Sequence, residues 1–190
     1  MYAPVVEVTR GPRVESIHFG GIAVVSASGE RLGAVGDPGL VTFLRSSAKP
    51  FQALPTVESG ALESLRFSDR ELAILCASHL GNDTQVAAVS SALEKAGARE
   101  GDLLCGTHPV GDPEIAERLL LERRKPTPVR HNCSGKHAGM LAYSMFRWGR
   151  TTSLSGQSYV DPENPLQREI RGTLAQMCGL AEEQVEVGID

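Results

Sequence analysis

Apolar side chains in the first forty-odd residues come in short, β-branched groups parted by glycine turns. Val5, Val6 and Val8 are followed by Ile17, Phe19, Ile22, Val24 and Val25, then by a Ser28-Gly29-Glu30 turn, Leu32 and Val35. Leu40-Val41-Thr42-Phe43 closes the run. This pattern predicts an antiparallel meander. After residue 44 the spacing becomes helical. Ser68-Asp69-Arg70-Glu71 has the form of a capping box, with Leu72, Leu75 and Cys76 behind it on one face. Asn82 and Gln85 open a second helix that carries Val86, Val89 and Leu93. Asp112-Pro113 and Asn164-Pro165 each place a cap before a first-turn proline. Ile115, Leu119 and Leu120 follow the first; Leu166, Ile170, Leu174 and Met177 follow the second. A further helix is predicted from about Ser134 to Trp148, against the low helix propensity of Gly135 and Gly139. Val185 and Val187 read as the start of a last strand. Strands first and helices after predict an α+β fold, here one domain over residues 1–190.

Composition narrows the function classes. With 41% hydrophobic and 22% charged residues, the chain has the balance of a globular domain able to build a core. The net charge of −4 and the absence of a long lysine-arginine block argue against a nucleic-acid partner. Arg123-Arg124-Lys125 is the one basic cluster, placed to end a helix. No apolar run is long enough for a bilayer, and the first residues lack the pattern of a signal peptide. Cys76, Cys105, Cys133 and Cys178 form no C-x-x-C pair, which predicts free thiols and a cytoplasmic setting.

Four stretches could carry chemistry. Ser46-Ser47-Ala48-Lys49 is an S-x-x-K sequence, and at helical spacing Ser46 and Lys49 share a face. A serine hydroxyl needs a base to become a nucleophile. A lysine can be that base only as the free amine, about 0.04% of an ordinary lysine at pH 7. The reading therefore demands burial and nearby positive charge, for which Arg45 is a candidate. The same four letters also fit a serine that caps a helix, with the lysine in solvent. Ser78-His79-Leu80-Gly81-Asn82 reads as a helix junction: Gly81 as a C-terminal cap, His79 at the negative helix end, Asn82 as the next cap. His131-Asn132-Cys133-Ser134-Gly135-Lys136-His137 packs reactive side chains into a helix N-terminus, where backbone N–H groups favour a thiolate. It is no Walker A loop, since Arg130 and His137 occupy positions that need glycine and Ser/Thr. Cys133 and a histidine could hold zinc, though without a standard spacing. Tyr159-Val160-Asp161-Pro162-Glu163-Asn164-Pro165 reads as a proline-rich loop into a capped helix, and Asp190 as a carboxylate at a strand tip.

Taken in order, RSSAKPFQ, CASHLGND, HNCSGKHAGML, YVDPENPLQ and VGID resemble the thermolabile, Rhizobium etli-type L-asparaginase II family over essentially the whole chain. The resemblance implies a fold akin to serine β-lactamases and hydrolysis of the side-chain amide of L-asparagine. It makes Ser46 the nucleophile, Lys49 its base and Ser78 the serine of a second Ser–Lys tandem. Cys133 and Lys136 match zinc-holding positions, and Arg45, His137 and Asp190 match residues near the bound amino acid. It further implies a homodimer, and a family chain that continues past residue 190 with a third zinc ligand and the second tandem's lysine, so that the sheet over residues 1–190 is incomplete. Two alternatives stand beside it. One is another S-x-x-K amidase, glutaminase or β-lactamase-like; the other is a non-catalytic remnant that binds an amino acid.

Overall fold

The computed structural model describes residues 1–188, and the chain divides into two compact units, Met1–Leu44 and Arg45–Asp190. In the first, β1 (Ala3–Arg10) pairs antiparallel with β2 (Arg13–Gly20), and β3 (Ile22–Val25) with β4 (Arg31–Val35). The expected meander is thus two separate two-stranded sheets. The Ser28-Gly29-Glu30 turn forms as anticipated, closed by Ser26 N–H to Glu30 O at 2.8 Å. Leu40–Phe43 joins no strand, because an apolar run becomes a strand only where a ladder partner meets it. No residue of this unit is buried, so backbone ladders and turns hold it rather than a core.

The second unit is helical: α1 (Lys49–Glu58), α2 (Ala61–Ser64), α3 (Asp69–Leu75), α4 (Asp83–Ala96), α5 (Pro113–Leu121), α6 (Ser134–Trp148) and α7 (Pro165–Cys178). The starts follow the sequence signals. Ser68 with Glu71, and Asn82 with Gln85, form reciprocal capping boxes, and Asp112 and Asn164 accept from the first-turn N–H groups behind Pro113 and Pro165. α6 is the central helix. It is buried almost without interruption from Ser134 to Ser144, on every face, and packs against α1, α3 and α4. Its glycines explain how. A Cβ on Gly135 would lie 2.0 Å from the Ile74 carbonyl oxygen, and one on Gly139 would lie 2.9 Å from the Leu75 side chain. Low helix propensity here is exchanged for the close approach of α6 to α3. The expected last strand at Val185 and Val187 does not form among the described residues; a short 3-10 turn, Glu182–Gln184, precedes irregular chain.

Glu71 ties α3 to α4. Its buried carboxylate accepts from Ser68 N–H and Oγ–H, Ser91 Oγ–H and Lys95 Nζ, the last two at 2.6 Å. Burial alone would raise its pKa, but these donors outweigh it and hold the group down at about 2, against an ordinary 4.5. A depressed carboxylate stabilises the fold above its unfolded pKa and ceases to do so as pH falls through the folded one. The window is therefore pH 4.5 to 2, and its size is on the order of 3 kcal/mol. Glu71→Gln should lose most of that at pH 7 and differ little from the parent near pH 2, as read by urea unfolding at both pH values.

Candidate active site

Ser46 lies in a 3-10 turn, Arg45–Ala48, that runs directly into α1. Arg45 opens the turn with φ +52, a left-handed conformation that costs a non-glycine residue about 1 kcal/mol, so backbone strain sits one residue before the hydroxyl. Lys49 begins the helix and is only 1% exposed. Its amine does not point to solvent. It donates to Ser78 Oγ at 2.6 Å, to Asn132 O at 3.3 Å and to Ala77 O at 3.4 Å, which uses all the donors an ammonium has. Ser78 Oγ in turn lies 2.8 Å from Ser46 Oγ. The described bonds thus run in a file, Lys49 to Ser78 to Ser46, where the spacing alone suggested a direct Ser46–Lys49 pair. The amine is buried, while both hydroxyls are exposed. A lysine amine kept from water beneath exposed hydroxyls can take a proton from them only in its uncharged form, which is what activating a serine would require.

Ser78 sits on the connector between α3 and α4, and here the sequence reading is corrected. α3 ends at Leu75, so Gly81 is not its cap. Gly81 adopts φ +77, and a Cβ there would lie 2.6 Å from the Arg130 carbonyl oxygen. The residue lets the connector press against the chain before α6. Arg130 seals the junction, donating to Gly81 O at 2.6 Å and pairing with Asp83 at 2.8 Å. His79, expected at the negative end of a helix, is buried. Burial first, then the nearby Lys49 charge, pushes its pKa down to about 4, so the imidazole is neutral at pH 7.

The chain around the start of α6 lies against this connector. Cys133 stands at the helix N-cap with Lys136 one turn on, both half-buried. His131 Nδ1 accepts the Cys133 N–H at 3.0 Å, and His108 Nε2 accepts the Asn132 N–H at 3.0 Å. The Cys105 thiol is pushed up to about 11, chiefly by burial and further by nearby Cys133, and stays protonated. His137 points inward. Burial, then the charge of Lys136, lowers its pKa to about 3. Its Nδ1 lies 3.0 Å from the buried Tyr159 hydroxyl, which also accepts the Leu104 N–H at 2.7 Å. Tyr159 thereby anchors the proline-rich loop to α6, a role that its loop-like sequence gave no sign of.

The structure therefore gathers Ser46, Lys49 and Ser78 into one hydrogen-bonded file, and sets the Cys133 turn beside them through Asn132 O. Asp190 lies outside the described residues. Among those described, no group of three His, Cys, Asp or Glu side chains converges to hold a metal ion, and no helix is long and apolar enough to cross a membrane. Sequence reasoning missed the Asn132 carbonyl and the pairing of His79 with Ser134. The former is backbone, and the latter joins residues 55 apart in the chain. A family model described as L-asparaginase II matches residues 6–190. No curated protein matches the chain.

Proposed function

Because the chain belongs to the L-asparaginase II family, an asparaginase-type amidohydrolase family, we propose that it hydrolyses L-asparagine to L-aspartate and ammonia with Ser46 as nucleophile. The observation that carries the reading is the buried Lys49 amine, one hydroxyl away from Ser46. Ser46 Oγ attacks the side-chain carboxamide carbon. Its proton passes to Ser78 Oγ while the Ser78 proton passes to the free amine of Lys49. The tetrahedral adduct then collapses; its nitrogen takes a proton from the Lys49 ammonium and leaves as ammonia. Water, activated by the same file, cleaves the β-aspartyl ester and restores Ser46. His137, kept neutral by burial, offers an uncharged ring to a bound amino acid, while Arg45 and Asp190 are assigned to its carboxylate and its α-ammonium.

A zinc ion belongs to the same proposal. A thiolate from Cys133 at the N-cap of α6 and an amine from Lys136 in its first turn suit its preference for sulfur and nitrogen donors and would supply two of its roughly four ligands. The ion would support substrate binding; no step above is routed through it. The fold over both units would be the β-lactamase-like asparaginase II fold, and the working assembly a homodimer. An ammonia-release assay on L-asparagine, run beside L-glutamine and nitrocefin, tests the activity. Asparagine turnover that disappears in Ser46→Ala is expected. Nitrocefin turnover instead would move the chain to another S-x-x-K chemistry, and L-aspartate binding by calorimetry without turnover would make it a binding remnant. Zinc analysis of the parent against Cys133→Ser should show metal lost with the thiol.

A further inference from the structure

Ser78 stands on an irregular connector, so something other than a helix must fix its hydroxyl between Lys49 and Ser46. Three bonds of its neighbour His79 tie the connector down. The His79 N–H donates to Asn132 O at 3.3 Å, the carbonyl that also receives the Lys49 amine at 3.3 Å. The His79 ring then bridges the connector to the first residue of α6. The Gly81 N–H points at Nδ1 from 3.1 Å, and a backbone N–H can only donate, so Nδ1 is the bare nitrogen. Nε2 accordingly carries the proton and donates to Ser134 Oγ at 2.8 Å. The Ser134 hydroxyl spends its own proton on Val129 O, also at 2.8 Å. Every donor and acceptor in this chain is assigned, with no alternative direction. His79, Ser134 and their bonds are buried.

We infer that His79 is a positioning residue for the hydroxyl file: held in its Nε2–H form between Gly81 and Ser134, it fixes Ser78 on the line from Lys49 to Ser46. The inference rests on the reading of Ser46 as nucleophile and deepens it. The ring bonds to Gly81 and Ser134, not to the oxygens of Ser46 or Ser78. It acts through the connector, and burial keeps it from taking a second proton near neutrality.

The test compares the parent with Ser134→Ala, His79→Gln and His79→Ala. Three readouts serve. The first is 15N NMR of the His79 ring. The second is the rate of Ser46 sulfonylation by phenylmethanesulfonyl fluoride, located by peptide mass spectrometry. The third is kcat and KM for L-asparagine. The expected spectrum shows a bare Nδ1 and a protonated Nε2. Ser134→Ala and His79→Ala should slow sulfonylation and lower kcat roughly 10²-fold with KM little changed, the size expected of a displacement of about 1 Å. His79→Gln, whose amide can still donate to Ser134, should recover at least half of that loss on a logarithmic scale. Should His79→Ala fail to fold, Ser134→Ala removes a single oxygen and carries the comparison. An Nδ1–H ring, or a sulfonylation rate within twofold of the parent in Ser134→Ala, overturns the inference. Absence of ammonia from the parent overturns the asparaginase reading instead, and leaves the ring form and the sulfonylation rates to decide the role of His79.

Discussion

Lys49→Met should lower kcat for amide hydrolysis by about 10³-fold, the middle of the range for loss of a general base. Lys49 is 1% exposed and its amine is enclosed by Ser78 Oγ, Asn132 O and Ala77 O, so bulk solvent cannot deliver a replacement base to the same point. Methionine matches the stem in length and leaves the helix start intact. Ala77 O and Asn132 O would each lose a donor, at about 1 kcal/mol apiece, while removal of a buried polar amine offsets much of that. The variant should therefore melt close to the parent and still be inactive. Ser46→Ala should be at least as inactive. Ser78→Ala should retain more, because a water can enter the exposed position between amine and nucleophile and carry the proton. A Lys49→Met enzyme that melts normally and keeps more than a tenth of the parent kcat would rule the amine out as base.

Gly135→Ala should have the largest effect on stability, about 3 kcal/mol or more by urea unfolding, at the upper end of what overpacking costs. The added carbon would sit 2.0 Å from the Ile74 carbonyl oxygen. Neither side can yield by rotating a side chain, because a helix backbone is on one side and a backbone carbonyl on the other. Relief requires α6 to withdraw from α3. Gly172→Ala is the contrast. It lies inside α7 with nothing nearer than the Glu182 carboxylate at 3.7 Å, so alanine should stabilise by about 0.5–1 kcal/mol through helix propensity. Equal effects at the two positions would show that propensity, rather than contact, decides both.

The helix starts could be read from the sequence because their determinants are local. Ser68 with Glu71, Asn82 with Gln85, Asp112 before Pro113 and Asn164 before Pro165 carry both partners of the cap within a few residues. Strand pairing has no such local record. Leu40–Phe43 and Val185–Val187 have strand composition, yet their state depends on whether a distant edge meets them. Gly135 misleads for the same reason, since its cause is Ile74 in another helix. Within the candidate site, S-x-x-K drew attention to Ser46 and Lys49, while the junction motif gave Ser78 no claim of its own and only the family resemblance singled it out. That Ser78 stands between the other two is a matter of three-dimensional geometry, and four letters cannot hold it. His79 read as a helix-end histidine and Ser134 only as the start of a helix, because neither shows its partner within its own segment.

The carbonyl of residue 132 receives both the Lys49 amine and the connector's amide, yet it belongs to no side chain. A scan that exchanges residues one at a time leaves that oxygen where it is and scores the position by its carboxamide alone. Tolerance of substitution at Asn132 would thus say nothing about the oxygen's importance. The route to it is atomic replacement, an ester in place of a neighbouring amide, which weakens the acceptor and leaves every side chain unchanged.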